Sequence, residues 1–133
     1  MNFKKTAIEP FSAKVTFGLE LGYTKNLIDK SKIIEYLQSY QNRLIEEKNL
    51  ILSVSLSECK IVLSGQIEPH LQLNFINYPK FPIKENILKI EIENLTKSLM
   101  TKFEQNRVVI EYLNETIMFE HSELIDPRIR KKR

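Results

Sequence analysis

The sequence has a single cysteine, Cys59, so no disulfide can form within the chain. Its three glycines, Gly18, Gly22 and Gly65, are scattered. They cannot build the Gly-rich loop whose backbone N–H groups cradle a phosphate. Only two aspartates, Asp29 and Asp126, are present, and a carboxylate-rich Mg²⁺ site would lack its usual ligands. The two histidines, His70 and His121, stand alone, without the paired His or Cys spacing that fixes zinc. No apolar run approaches the ~20 residues that span a bilayer. The opening MNFKKTAIEPFSAK has no apolar stretch after its lysines and does not read as a secretory leader. These absences lead to the expectation of a cytoplasmic domain with no cofactor and no metal.

The remainder is ordinary for a globular protein: 133 residues, 42% hydrophobic and 28% charged. That length suits one core. Residues 1–127 are expected to form a single α+β domain with 1–12 as an N-terminal arm, and 128–133 a flexible basic tail. The charge is uneven. Arg128, Arg130, Lys131, Lys132 and Arg133 supply five of the 20 basic residues, so the rest has 15 against 17 acidic groups. The body is therefore mildly acidic despite a formal charge of +3. The tail reads either as a solvated terminus or as a salt-sensitive contact to nucleic-acid phosphates.

Periodicity supplies the elements. Val15, Phe17, Leu19 and Leu21 alternate with Lys14, Thr16, Gly18 and Glu20, which predicts a half-buried strand over 13–21. Asp29 or Ser31 can cap the following segment. There, Ile33, Leu37, Tyr40 and Leu44 recur at helical spacing and predict a helix over 32–47. Leu50, Leu52, Val54 and Leu56 predict a second strand, and Leu71, Leu73 and Phe75 a third. Residues 58–68 read as a connector in which Ile61–Leu63 is a short strand or the end of a hairpin, with Gly65 as the turn. Leu88, Ile92, Leu95, Leu99 and Phe103 predict a long helix over 84–105. Strands over 107–113 and 116–120 complete the chain.

The order β-α-β-β-α-β(-β) implies a two-layer α/β sandwich of the ferredoxin-like or tautomerase-like type, with two helices on one face of a mixed sheet. Its outer face would carry Thr16, Gly18, Glu20, Ser53, Ser55, Gln72 and Asn74, with Glu111 and His70 at further strand positions. No aromatics interleave these, which disfavours base stacking on the sheet.

The run PHLQLNFINYPKFPIKENILKIEIENLTKSLMTKFEQNRVVIEYLNE, residues 69–115, resembles the strand–helix–strand unit of the tautomerase superfamily, in its 5-carboxymethyl-2-hydroxymuconate isomerase-like branch. That resemblance implies the sandwich fold, sheet-mediated oligomers and an N-terminal proline as general base. Pro10 and Pro69 are internal, so their nitrogens are amides and the implied base is absent unless processing exposes Pro10.

Three functional readings follow. The leading one is a non-catalytic homo-oligomerising (dimer or trimer) or small-polar-ligand-binding module, using Glu20, Ser53, Ser55, His70, Gln72, Asn74 and Glu111. The second is an isomerase-type enzyme on small keto–enol acids, with Glu20, His70 or a processed Pro10 as base. The third is accessory nucleic-acid binding through the tail.

Overall fold

The computed structural model describes residues 2–129. The first strand, β1 (Ser12–Gly18), follows an arm without regular structure. Helix α1 (Lys30–Lys48) starts where Asp29 Oδ1 accepts the Ser31 N–H at 2.9 Å. It ends at Asn49, whose φ of 52° gives the left-handed cap that Asn tolerates. Strands β2 (Ser55–Leu63) and β3 (Gln66–Ile76) form a long hairpin, and Gly65 takes the positive φ of 90° its two-residue turn requires. Helix α2 (Glu85–Lys102), β4 (Arg107–Tyr112) and β5 (Thr116–Glu120) follow.

The five strands lie in the order β2-β3-β1-β4-β5. Each helix therefore joins two strands with a third inserted between them: β3 separates β1 from β2, and β1 separates β3 from β4. Register fixes which face is dry. Phe17 opposes Leu71, and Val15 lies between Leu73 and Ile110. Ala13, Val15, Phe17, Leu71, Leu73, Phe75, Val108 and Ile110 are all buried, together with Ile33 and Leu37 of α1 and Leu88, Ile92, Leu95 and Leu99 of α2. Both helices thus cover one face, giving the α+β two-layer sandwich the pattern implied. Among the described residues no helix is long and apolar enough to cross a membrane.

Several expectations are corrected. Every strand pairing is antiparallel, so the sheet is not mixed. The second strand begins at Ser55 and runs through the connector to Leu63, so the hairpin end expected at Ile61–Leu63 is part of a nine-residue strand paired with β3. Leu52 is buried and Leu50 and Val54 pack on the core, but as unpaired extended chain. Their alternation reports contact with the core, not membership of the sheet. Ser53 consequently lies outside the sheet. The true β2 is an edge strand, and its pattern is masked because Glu58 and Lys60 are exposed.

One buried charge bridges the helices. Glu91 of α2 accepts Lys48 Nζ of α1 at 2.7 Å through Oε1, while its Oε2 is buried without a partner.

Candidate functional site

Where β1 ends, the open face of the sheet carries a polar cluster. Pro69 O accepts the Leu19 N–H at 3.0 Å, carrying the chain past the strand end to Glu20, which bridges to Leu27. Glu20 is therefore buried at the sheet margin, not displayed on a wet strand face. Gly18 pairs with His70. A Cβ at Gly18 would lie 2.4 Å from Gln105 Oε1 and 3.0 Å from Glu68 Oε1, so a side chain there would displace the ends of both. Gln105 in turn donates from Nε2 to Glu20 O at 2.7 Å and to Phe103 O at 3.1 Å, tying the α2–β4 corner to the end of β1.

Glu68 and His70 stand two apart on β3, hence on one face of the sheet. His70 Nδ1 is 3.2 Å from Glu68 O, and Nε2 lies 3.9 Å from Glu68 Oε1. Gln66 donates to the other Glu68 oxygen. The two side chains line a cleft of about 170 Å³ together with Tyr23, Gln105, Arg107 and Asp126. Burial pushes the Glu68 carboxyl above its usual value of 4.5; His70 opposes the shift and nearby Glu20 adds to it. A partly desolvated carboxylate beside a second one, in a cleft, is the arrangement found where acids are tuned for chemistry.

The C-terminal segment closes one side. Arg128 donates from Nη2 to Asp126 Oδ2 at 2.7 Å and to Glu20 Oε1 at 3.0 Å, and lies 4.0 Å from Glu68 Oε2. Arg107 pairs with Glu120 at 2.7 Å. Among the described residues of this group four carboxylates, Glu20, Glu68, Glu120 and Asp126, face two guanidiniums, an excess of acidic groups.

Of the residues singled out in the sequence, Glu20 and His70 come together here. Gln72 and Asn74 lie on the same sheet face, each 3.5 Å from the Ser57 hydroxyl, away from the cleft lining. Ser55 and Glu111 are exposed and line no part of it, nor does Ser53. Arg128, assigned to a solvated tail, is instead an ion-pair partner of the cluster. Arg130, Lys131, Lys132 and Arg133 lie outside the described residues. Sequence reasoning missed Glu68, Gln66, Tyr23, Gln105, Asn106, Arg107 and Asp126. The one signal available was Glu68-Pro-His70, a same-face pair of titratable groups on a strand. Among the described residues no group of three or more His, Cys, Asp or Glu could hold a metal ion.

The Asp126 carboxyl gives a pH test. The Arg128 side-chain hydrogen bond, reinforced by its backbone N–H, holds Asp126 below the usual 3.8. A depressed acid stabilises the folded segment fully above its unfolded value, and that contribution is lost as pH falls through the folded value. The Arg128 amide, which Asp126 Oδ1 accepts at 2.9 Å, is therefore expected to shift with a midpoint below 3.8 in an NMR titration. A midpoint at or above 3.8 would show that Arg128 does not hold the carboxylate.

No family model matches the chain, and no curated protein matches it. Two solved structures share the fold. A phage SAM lyase in complex with S-methyl-5'-thioadenosine is 16% identical with a TM-score of 0.63, covering 94% of this chain and 100% of that one. A phage SAM lyase in its apo state is 18% identical with a TM-score of 0.64, covering 86% and 91%. At such identities the likeness is one of fold. It nevertheless overturns the leading expectation of a non-catalytic module: the architecture read as a bare scaffold is one that an enzyme uses, in one case with a nucleoside bound.

Proposed function

We propose that this protein is an enzyme acting on a small cationic substrate, with S-adenosylmethionine (SAM) as that substrate and C–S bond cleavage as the reaction. The observation that carries the reading is the cluster of the carboxylates Glu20 and Glu68 with His70 at the cleft, on a fold shared with SAM lyases. A sulfonium and an ammonium are both cations, and partly buried carboxylates attract them more strongly than carboxylates in bulk water do. The Tyr23 side chain at the cleft adds an aromatic surface suited to an organic cation.

The chemistry needs neither metal nor redox partner. The bond between sulfur and the four-carbon amino-acid chain breaks, and its electron pair passes to sulfur. Sulfur leaves as the neutral thioether of S-methyl-5'-thioadenosine. An oxygen of the substrate's own carboxylate supplies the pair that closes on the vacated carbon. No water enters, and no proton must be moved. The protein's contribution is to hold the two cationic centres so that the chain folds onto its carboxylate, which is catalysis by orientation. Glu68 is the group assigned to that task.

The test is incubation of the purified chain with SAM, followed by chromatography for S-methyl-5'-thioadenosine. Time-dependent product above the uncatalysed breakdown of SAM supports the reading. Absence of both product and calorimetric binding at millimolar SAM rejects it.

A further inference from the structure

Residues 122–129 form no helix or strand, and their one backbone–backbone hydrogen bond among the described residues is internal, Ile129 N–H to Asp126 O at 3.1 Å. The cleft's own side chains hold the segment. Tyr23 Oη donates to Leu124 O at 2.8 Å, and Asn106 Nδ2 to Ser122 O and Leu124 O at 3.2 and 3.1 Å. Arg107 donates to the same two carbonyls. Apolar anchoring is slight, since Leu124 is 70% and Ile125 46% exposed. A segment with few buried apolar contacts sits at the low end of local stability, so opening it costs little beyond its polar latch.

That latch is Arg128. Its guanidinium is seated against Glu20, whose side chain is 8% exposed, and reaches Glu68, whose side chain is 14% exposed, while itself remaining 24% exposed. Asp126, its third partner, belongs to the segment and would leave with it. Among the described residues, withdrawal of Arg128 would thus take from Glu20 its ion-pair partner and leave Glu68 with His70 at 3.9 Å, a pair of neighbouring carboxylates that favours a cation. The same movement would free Tyr23, Asn106 and Arg107 as donors facing the cleft.

We infer that residues 122–129 are a displaceable strap whose Arg128 occupies a cation subsite formed by Glu20 and Glu68. The ligand it gives way to is an organic cation that also carries an acceptor, such as a carboxylate, for the donors that Ser122 O and Leu124 O now satisfy. A zwitterionic amino-acid derivative with a further positive centre has that chemistry. Naming SAM as this ligand rests on the proposed function; the strap and its subsite do not.

Two variants and two probes test this. Arg128→Ala is expected to speed amide exchange at least tenfold across residues 122–129 in the ligand-free protein while β1 and β3 stay protected, and Arg128→Lys to lie between. Methylguanidinium, a single small cation, is then titrated against side-chain carboxyl signals of Glu20 and Glu68. Saturable shifts at least tenfold tighter in Arg128→Ala than in the wild type are the expected result. Equal affinity for methylguanidinium in the two proteins, or a strap as protected in Arg128→Ala as in the wild type, overturns the inference. SAM is the second probe. If methylguanidinium behaves as expected and SAM binds neither protein, the strap stands and the proposed substrate falls.

Discussion

In the proposed reaction, replacing Glu68 by Gln is expected to lower SAM turnover about 100-fold while leaving the fold intact, since misplacing a reacting group by about 1 Å costs on that order. Glutamine matches the shape of glutamate and can still accept the hydrogen bond from Gln66, so only the charge is removed. The melting temperature should therefore move little, whereas an orientation lost through collapse of the site would lower both quantities together. The pH dependence separates the charge from the shape. Burial raises the Glu68 pKa above 4.5, so the charged form is gained as pH rises through a value above that point. Activity in the wild type should climb over the same interval. In Glu68→Gln the residual rate should lack that acid limb. A variant with wild-type turnover, or one that keeps the limb, would remove Glu68 from the chemistry.

How far the sequence foretold this arrangement depends on burial. Strands β1, β4 and β5 and both helices were legible because each buries one face, so their apolar residues recur at the period of the element. The chain from Leu50 to Val54 misled for the same reason: it touches the core at every second residue without pairing. Edge strand β2 was legible only at Ile61–Leu63, beside the Gly65 turn, because neither of its faces is dry. The site was less legible still. Glu20 and His70 lie on readable strand patterns, but Gln105, Asn106 and Arg107 come from the α2–β4 corner, and Asp126 and Arg128 from beyond the last strand. Their meeting is a product of strand order, β3 beside β1 beside β4, which periodicity does not encode. The composition argument about the tail failed at Arg128 because it counted charge without asking which carboxylates an Asp126-Pro127-Arg128 turn could reach.

Phe17→Ala tests the link between core and site, and it should be the most destabilising single truncation at this end of the sheet. Phe17 is fully buried, its ring edge-on to Phe103 with centroids 6.1 Å apart, and Phe103 meets Tyr36 of α1 in the same way at 5.9 Å. Truncating a buried Phe costs about 3–5 kcal/mol through lost transfer energy and the cavity left behind. Against a total stability of about 5–15 kcal/mol for a domain, that is a large fraction. The melting temperature should fall by roughly 10–20 °C, and the urea midpoint with it. Phe17→Leu, which keeps most of the volume, should lose well under half as much. The cavity would open directly beneath the cleft. Phe103 O accepts from Gln105, Gln105 holds Glu20, and Glu104 O accepts the Gly22 N–H at 2.8 Å. At temperatures where Phe17→Ala is still folded, the 103–107 corner should therefore exchange its amides faster than the distant β2–β3 pairing at Ser55–Leu56. Uniform protection in the two regions would show that the aromatic cluster carries stability without setting the position of the cleft.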